Sequence, residues 1–264
     1  MYESYSGLQF ERRGRILVVY INNPPTNHMT PVIHTELGRV FSDINRDQET
    51  SVVVLTGAGN AFSAGGNIKN MVRRIEERRT GEWFQGIEEA RQILRGFMRL
   101  EKPIITRING HAMGLGATLA VAADLSYMLE DAKIADTHVR MGLVAGDGGA
   151  LFWPLLMGFA RARQYLLTGD SMTGKQAAEY GLITESCTEA ELDEKVFGMA
   201  ERLANGSRQA IAGTKMAINM LLRSQLEMLL DSHLALETET FFSDDHREAA
   251  NAFMEKRKPK FGSE

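Results

Sequence analysis

Two side chains near the middle of the chain have the chemistry to move protons. His138, in ADTHVRMGL, titrates near neutral pH and can serve as acid or base. Asp147 follows it between glycines, in GLVAGDGG. A carboxylate flanked by glycines can reach into a neighbouring pocket, and desolvation there would raise its pKa to a useful value. The competing role for Asp147 is that of a turn or N-cap residue. Thr118 cannot be a general base at neutral pH. It either orients a water or substrate hydroxyl or bonds back to the preceding helical turn, and the second is the expectation here. Asp136 and Arg140 read as surface or loop-pairing charges, and Asp124 as structural.

Two stretches supply a different kind of group. In KPIITRINGHAMGLGATLAVAAD (102–124) a β-branched run, Ile104 to Ile108, ends at Asn109-Gly110; a glycine-bearing turn and an apolar helix from about Ala117 follow. Val52 to Thr56 is a second buried-strand run, followed by GAGNAFSAGGNIKNM (57–71) and a helix from about Asn67. A strand–turn–helix unit aims free backbone N–H groups ahead of its helix. Two such units can each give one N–H to the same oxygen, the minimum device for stabilising an enolate or tetrahedral oxyanion.

In this order, AFSAGGNIKNM and KPIITRINGHAMGLGATLAVAAD resemble the two oxyanion motifs of the crotonase (enoyl-CoA hydratase/isomerase) superfamily. LLTGDSMTGKQAAEYGLI (166–183) and DDHREAANAFMEKRKPKF (244–261) match it further, so the resemblance runs from about Leu8 to Phe261. It implies an α/β fold: a crotonase-like spiral of ββα units over residues 1–190 that binds acyl-CoA, then an all-helical trimerisation region over 191–264. A homotrimer or a dimer of trimers is implied with it. The resemblance carries the oxyanion hole onto the backbone N–H groups of Gly66 and Leu115, where Leu115 replaces the usual Gly and can crowd the thioester. It carries contacts to CoA and substrate onto Ala64, Gly66, Asn67, Ile68 and Lys69. Phe253, Lys256 and Phe261 match tail positions that can touch CoA, often from a neighbouring subunit; lysines suit its phosphates. Coenzyme A enters as part of the substrate, and no other cofactor is implied. No Cys/His ligand spacing and no dinucleotide fingerprint point to a metal or redox group.

The acid/base groups depart from the pattern. In the well-known hydratases two Glu carboxylates hold a water and shuttle its proton. They map here onto Thr118 and His138, so both are replaced, and Asn67 stands where Asp is more usual. The resemblance therefore implies an enoyl-CoA hydratase-like enzyme in which Asp147 and His138 take over. The alternatives are an enoyl-CoA isomerase working with Asp147 alone, a hydrolase, dehalogenase or decarboxylase on the same oxyanion hole, and a non-catalytic acyl-CoA-binding homologue. Leu115, Trp83, Phe84 and Trp153 are candidates to shape the acyl pocket, although the aromatics could equally be core.

These groups need elements to position them. Leu8 to Glu11 and Arg15 to Ile21 read as a hairpin across Arg13-Gly14. Thr30-Pro31 starts a helix that runs to about Asn45. The charge run NMVRRIEERRT (70–80) reads as a solvated helix with i,i+4 pairs rather than a lid, and Glu82 to Leu100 as the helix leading into the 104 strand. Short strands at Leu125–Leu129 and Lys133–Ala135 precede the GDGG turn and helices at 150–157 and 160–167. Thr173 caps a helix that stops at Gly181. From Glu189 only helices are expected: about 189–205, 208–223, 225–242 and 245–256.

The composition fits this reading. The 264 residues are 44% hydrophobic and 24% charged, with enough apolar material for a sizeable core. A net charge of −4 steers the molecule neither to nucleic acid nor to anionic membrane. The single Cys187 suits a reducing compartment. No apolar run spans a bilayer and the first residues lack a signal core, so the expected location is the cytoplasm. Fourteen methionines read as core filler.

Overall fold

The computed structural model describes residues 1–77 and 79–262. Its central sheet begins with the expected hairpin, β1 (Leu8–Arg13) paired antiparallel to β2 (Ile16–Ile21). Gly14, at φ +58°, makes the turn between them. The sheet continues in parallel through β3 (Val52–Gly57), β4 (Ile104–Ile108), β6 (Leu125–Leu129) and β9 (Glu185–Cys187), in the order β1-β2-β3-β4-β6-β9. All six residues of β3 are buried, as befits a strand covered on both faces. A smaller sheet joins β5 (Ala112–Met113), β7 (Lys133–Ala135) and β8 (Met172–Thr173). The sequence did not announce β5, β8 or β9, which are only two or three residues long.

Helix α1 (Pro31–Arg46) starts as expected, with the Thr30 hydroxyl accepting from the Ile33 N–H and Pro31 in the first turn. Its buried face of Ile33, Leu37, Val40, Phe41 and Ile44 packs on α3 (Thr80–Arg99), where Phe41 meets Phe97. Helix α2 (Ile68–Glu76) is capped by the Asn67 side chain. No residue of α2 is buried, as expected of a solvated helix, but among the described residues its ion pairs are not i,i+4 contacts. Arg73 and Arg74 reach across to Glu82 of α3 at 3.0 and 3.5 Å, and the Arg74 side chain is only 18% exposed. The part of the run at position 78 lies outside the described residues.

Helix α4 (Leu115–Val121) begins two residues earlier than its apolar run suggests, and every residue in it is buried. After β7 come a short 3-10 turn (His138–Met141), α5 (Gly149–Met157), α6 (Phe159–Thr168), and α7 (Gly174–Glu179) with its Thr173–Gln176 capping box.

Beyond β9 the chain is helical: α8 (Glu189–Ala204), α9 (Arg208–Phe241) and α10 (Asp244–Met254). The two helices expected over 208–242 are one 34-residue helix, because Arg223-Ser224 interrupts the apolar periodicity without supplying a Gly or Pro to stop the backbone. Helix α9 is anchored at both ends. Near its start Lys215 bonds Asp124 Oδ2 at 2.8 Å, and Asp124 also accepts the Ile104 N–H, the structural role expected of it. Leu226, Leu230 and Leu234 enter the main core. The last turns lie on the 138–147 segment: Thr240 accepts the Val144 N–H, and the first turn of α10 places His246 Nδ1 2.6 Å from the Met141 carbonyl. No helix among the described residues is long and apolar enough to cross a membrane.

Candidate active site

The two donor turns are zipped together. Ser63 N–H donates to the His111 carbonyl and Met113 N–H to the Ser63 carbonyl. Gly65, at φ +76°, lies so close to the other turn that a Cβ on it would be 2.5 Å from the Met113 carbonyl oxygen. Gly114 donates to Ala135, which ties the pair to β7. Gly66 and Leu115 both line one cavity, and among the described residues neither N–H has a hydrogen-bond acceptor. Unpaired donors on two turns in contact are one precondition of an oxyanion hole.

The same cavity is lined by His138 and Asp147. His138 is clasped between carboxylates: Nδ1 is 2.6 Å from Asp136 Oδ1, and Nε2 is 3.4 Å from Asp147 Oδ2. Asp136 is therefore not a surface charge. It is 2% exposed and also accepts the His138 N–H at 3.2 Å. Arg140 is exposed, as expected. Thr118, fully buried behind Asp147, does not bond back to its helix; its hydroxyl donates to Asp147 Oδ1 at 3.3 Å. The glycines beside Asp147 admit its neighbours. A Cβ on Gly146 would meet Glu237 Oε2 at 2.8 Å, and one on Gly149 would meet Asp136 Oδ2 at 1.8 Å.

The charges follow from this packing. Burial disfavours the His138 cation, but the Asp147 and Asp136 charges outweigh it and hold the imidazole protonated well above its usual pKa. Burial would raise the Asp147 carboxyl, as the sequence suggests. The His138 charge and hydrogen bond, with help from His34 and Thr118, reverse that and keep it below its usual value. The three groups bring ligand-type atoms within 4.8 Å of one another. Both ring nitrogens of His138 face carboxylates, and a protonated ring can donate to each.

Sequence reasoning missed two further groups in the cavity wall. Glu237, on α9, has a buried Oε2 without a hydrogen-bond partner among the described residues, and burial together with the Asp147 charge pushes its carboxyl up to about 8. Its run, LALETETFF, reads as an ordinary helix face, and no local signal marks it. His34 of α1 and Glu89 of α3 meet with Nδ1 2.8 Å from Oε2, and Thr35 donates to the other Glu89 oxygen at 2.6 Å.

Of the contacts carried over by resemblance, Ala64, Asn67 and Ile68 line the cavity beside Gly66. Lys69, Phe253, Lys256 and Phe261 are exposed and do not line it within this chain. Leu115 and Trp83 shape the wall, Trp83 stacked on Phe241 at 3.7 Å between ring centroids. Phe84 points outward and Trp153 is buried core.

The family description that matches this chain, over residues 11–264, is "Enoyl-CoA hydratase/isomerase". A probable enoyl-CoA hydratase of Bacillus subtilis is 31% identical over 254 residues, covering 94% of this chain and 96% of the relative. A solved enoyl-CoA hydratase/isomerase from Mycobacterium paratuberculosis superposes with a TM-score of 0.90 at 30% identity, covering 95% and 99% of the two chains. A β-diketone hydrolase from Anabaena sp. PCC 7120, solved with (S)-3-oxocyclohexyl acetic acid, superposes with a TM-score of 0.82 at 29% identity, covering 91% and 96%.

Proposed function

Because the chain belongs to the enoyl-CoA hydratase/isomerase family, we propose that it adds water to the double bond of a 2-enoyl-CoA thioester. The observation that carries this reading is a single cavity lined both by the free N–H groups of Gly66 and Leu115 and by a carboxylate, Asp147, that His138 keeps ionised. The thioester oxygen sits between the two N–H groups. Asp147 takes a proton from water as the water oxygen bonds to Cβ, the π electrons move onto the thioester oxygen, and the resulting enolate collapses as a protonated group of the same cluster gives Cα its proton. Preorganised donors of this kind contribute on the order of 10²–10³ in rate each, and positioned acid–base groups about 10²–10⁴.

Ala64, Asn67, Ile68 and Lys69 hold the CoA arm in this reading. Phe253, Lys256 and Phe261 reach the nucleotide from a neighbouring subunit of a trimer or dimer of trimers. Exposed Ile218, Met220, Leu221 and Met228 on α9 supply an apolar face for that assembly. The division of labour between residues 1–190 and 191–264 belongs to the same proposal.

A second reading is hydrolysis of the C–C bond of a β-diketone. The observation favouring it is that the acid–base set is His138 between two Asp rather than a carboxylate pair, in a chain that superposes on a β-diketone hydrolase. Water would attack one carbonyl while the oxyanion hole receives the other as an enolate. A panel of crotonyl-CoA, a 3-enoyl-CoA and a cyclic 1,3-diketone separates the readings. Hydration supports the first, ring opening the second, a one-proton shift an isomerase, and thioester binding without turnover a binding protein.

A further inference from the structure

A water-adding enzyme needs a second group to protonate carbon, and His138 is poorly arranged for that. Its Nδ1 is hydrogen-bonded to Asp136 at 2.6 Å and its Nε2 lies 3.4 Å from Asp147, so both ring nitrogens are directed at carboxylates. Their combined charge also holds both protons tightly.

Glu237 has the opposite properties. It lines the cavity, its Oε2 is buried and without a hydrogen-bond partner among the described residues, and it packs on Gly146, next to Asp147. An unpartnered buried carboxyl oxygen costs stability, more so when it is charged. From Leu226 onward the other buried residues of α9, Leu226, Leu230, Leu234 and Phe241, are apolar, so Glu237 is the one buried polar group on that stretch. Asp147 and Asp136 lie on the loop side, His138 on the 3-10 turn, His233 one turn earlier on α9, and His34 with Glu89 line the same cavity. Burial and the Asp147 and Asp136 charges favour the neutral acid, and the His138 charge opposes it.

We propose that Glu237, and not His138, delivers the proton to the α-carbon of the substrate. The proposal rests on the hydration reading above and completes it. The Glu237 O–H breaks as the Cα–H forms. The water O–H breaks as Asp147 takes its proton. That proton then passes from Asp147 to Glu237, which resets both groups, so the net change is one water added. The two carboxyl groups that hydration requires are thus present, one ionised and one neutral, but one of them comes from the C-terminal helix.

The test uses the full chain with crotonyl-CoA and compares wild type, Asp147→Asn, Glu237→Gln and Glu237→Asp. Glu237→Gln is expected to lose at least about 100-fold in kcat with KM nearly unchanged. The wild-type fall in rate above about pH 8 should vanish from its residual activity. Glu237→Asp should recover part of the rate together with that alkaline limb. A Glu237→Gln enzyme with near-normal kcat and the same limb overturns the proposal, while an inactive Asp147→Asn beside it leaves the hydration reading standing. Wild type that hydrates no thioester sinks both. If the Gln variant does not fold, infrared spectra of wild type decide. A protonated-carboxyl band that disappears with a midpoint near pH 8 supports Glu237, and its absence at neutral pH overturns it.

Discussion

Nε2 of His138 lies 3.4 Å from Oδ2 of Asp147, and both side chains are almost sealed from solvent, 10% and 9% exposed. Opposite charges at this distance and depth attract each other, and deleting one leaves the other buried without compensation.

The first prediction concerns stability. His138→Gln should destabilise the fold by about 3 kcal/mol, the cost of breaking a buried pair. The pH dependence follows from the two shifts. Asp147 is held below its ordinary 3.8, so its contribution is fully present above that pH and lost as pH falls through the lower folded value. His138 is held above its ordinary 6.5, so its contribution is complete below 6.5 and lost as pH rises through the higher folded value. Urea unfolding should therefore separate wild type from His138→Gln most widely between about pH 4 and 6.5, and the gap should close at alkaline pH. A constant gap would contradict the ion pair.

Glu237 gives the reverse slope for a carboxyl group. Its folded pKa, about 8, lies above the ordinary 4.5, so the wild-type fold loses stability as pH rises across that interval. Glu237→Gln should gain in melting temperature relative to wild type on going from pH 5 to pH 8, by a few degrees. Parallel melting curves across that range would show that the group ionises normally.

Thr118 supports Asp147 from behind through a 3.3 Å hydrogen bond. Thr118→Val keeps the shape and removes the donor, at a cost of about 1.5–3 kcal/mol for a bond to a charged group. We expect roughly a tenfold fall in kcat, with recovery in Thr118→Ser. Unchanged kcat in the Val variant would make Thr118 a packing residue only.

The contact between the donor turns is tested at Gly65. A Cβ there would collide with the Met113 carbonyl and sit at positive φ. Gly65→Ala should push the Gly66 and Leu115 N–H groups apart and lower kcat by about 10²-fold, with a smaller change in thioester binding. Full activity would mean the turns need not converge.

Much of this arrangement is legible in the sequence, because local chemistry specifies it. Thr30-Pro31 fixes the start of α1, and the β-branched runs at 52–56 and 104–108 become adjacent parallel strands. The glycine turns after them hydrogen-bond to each other through Ser63, His111 and Met113. What the sequence hides is tertiary. Asp136 resembles a surface charge until His138 folds back on it, and Glu237 resembles a helix-face acid until α9 crosses the GDGG loop. The sign of the Asp147 shift also depends on a neighbour: burial alone points upward, and His138 reverses it.

The most direct measurement is turnover of crotonyl-CoA by wild type and Asp147→Asn, with a 3-enoyl-CoA and a cyclic 1,3-diketone run beside it. The account predicts hydration to the 3-hydroxyacyl thioester by wild type and its collapse, by at least about 10²-fold, in Asp147→Asn. Hydration undiminished in that variant would remove Asp147 from the reaction and contradict the account.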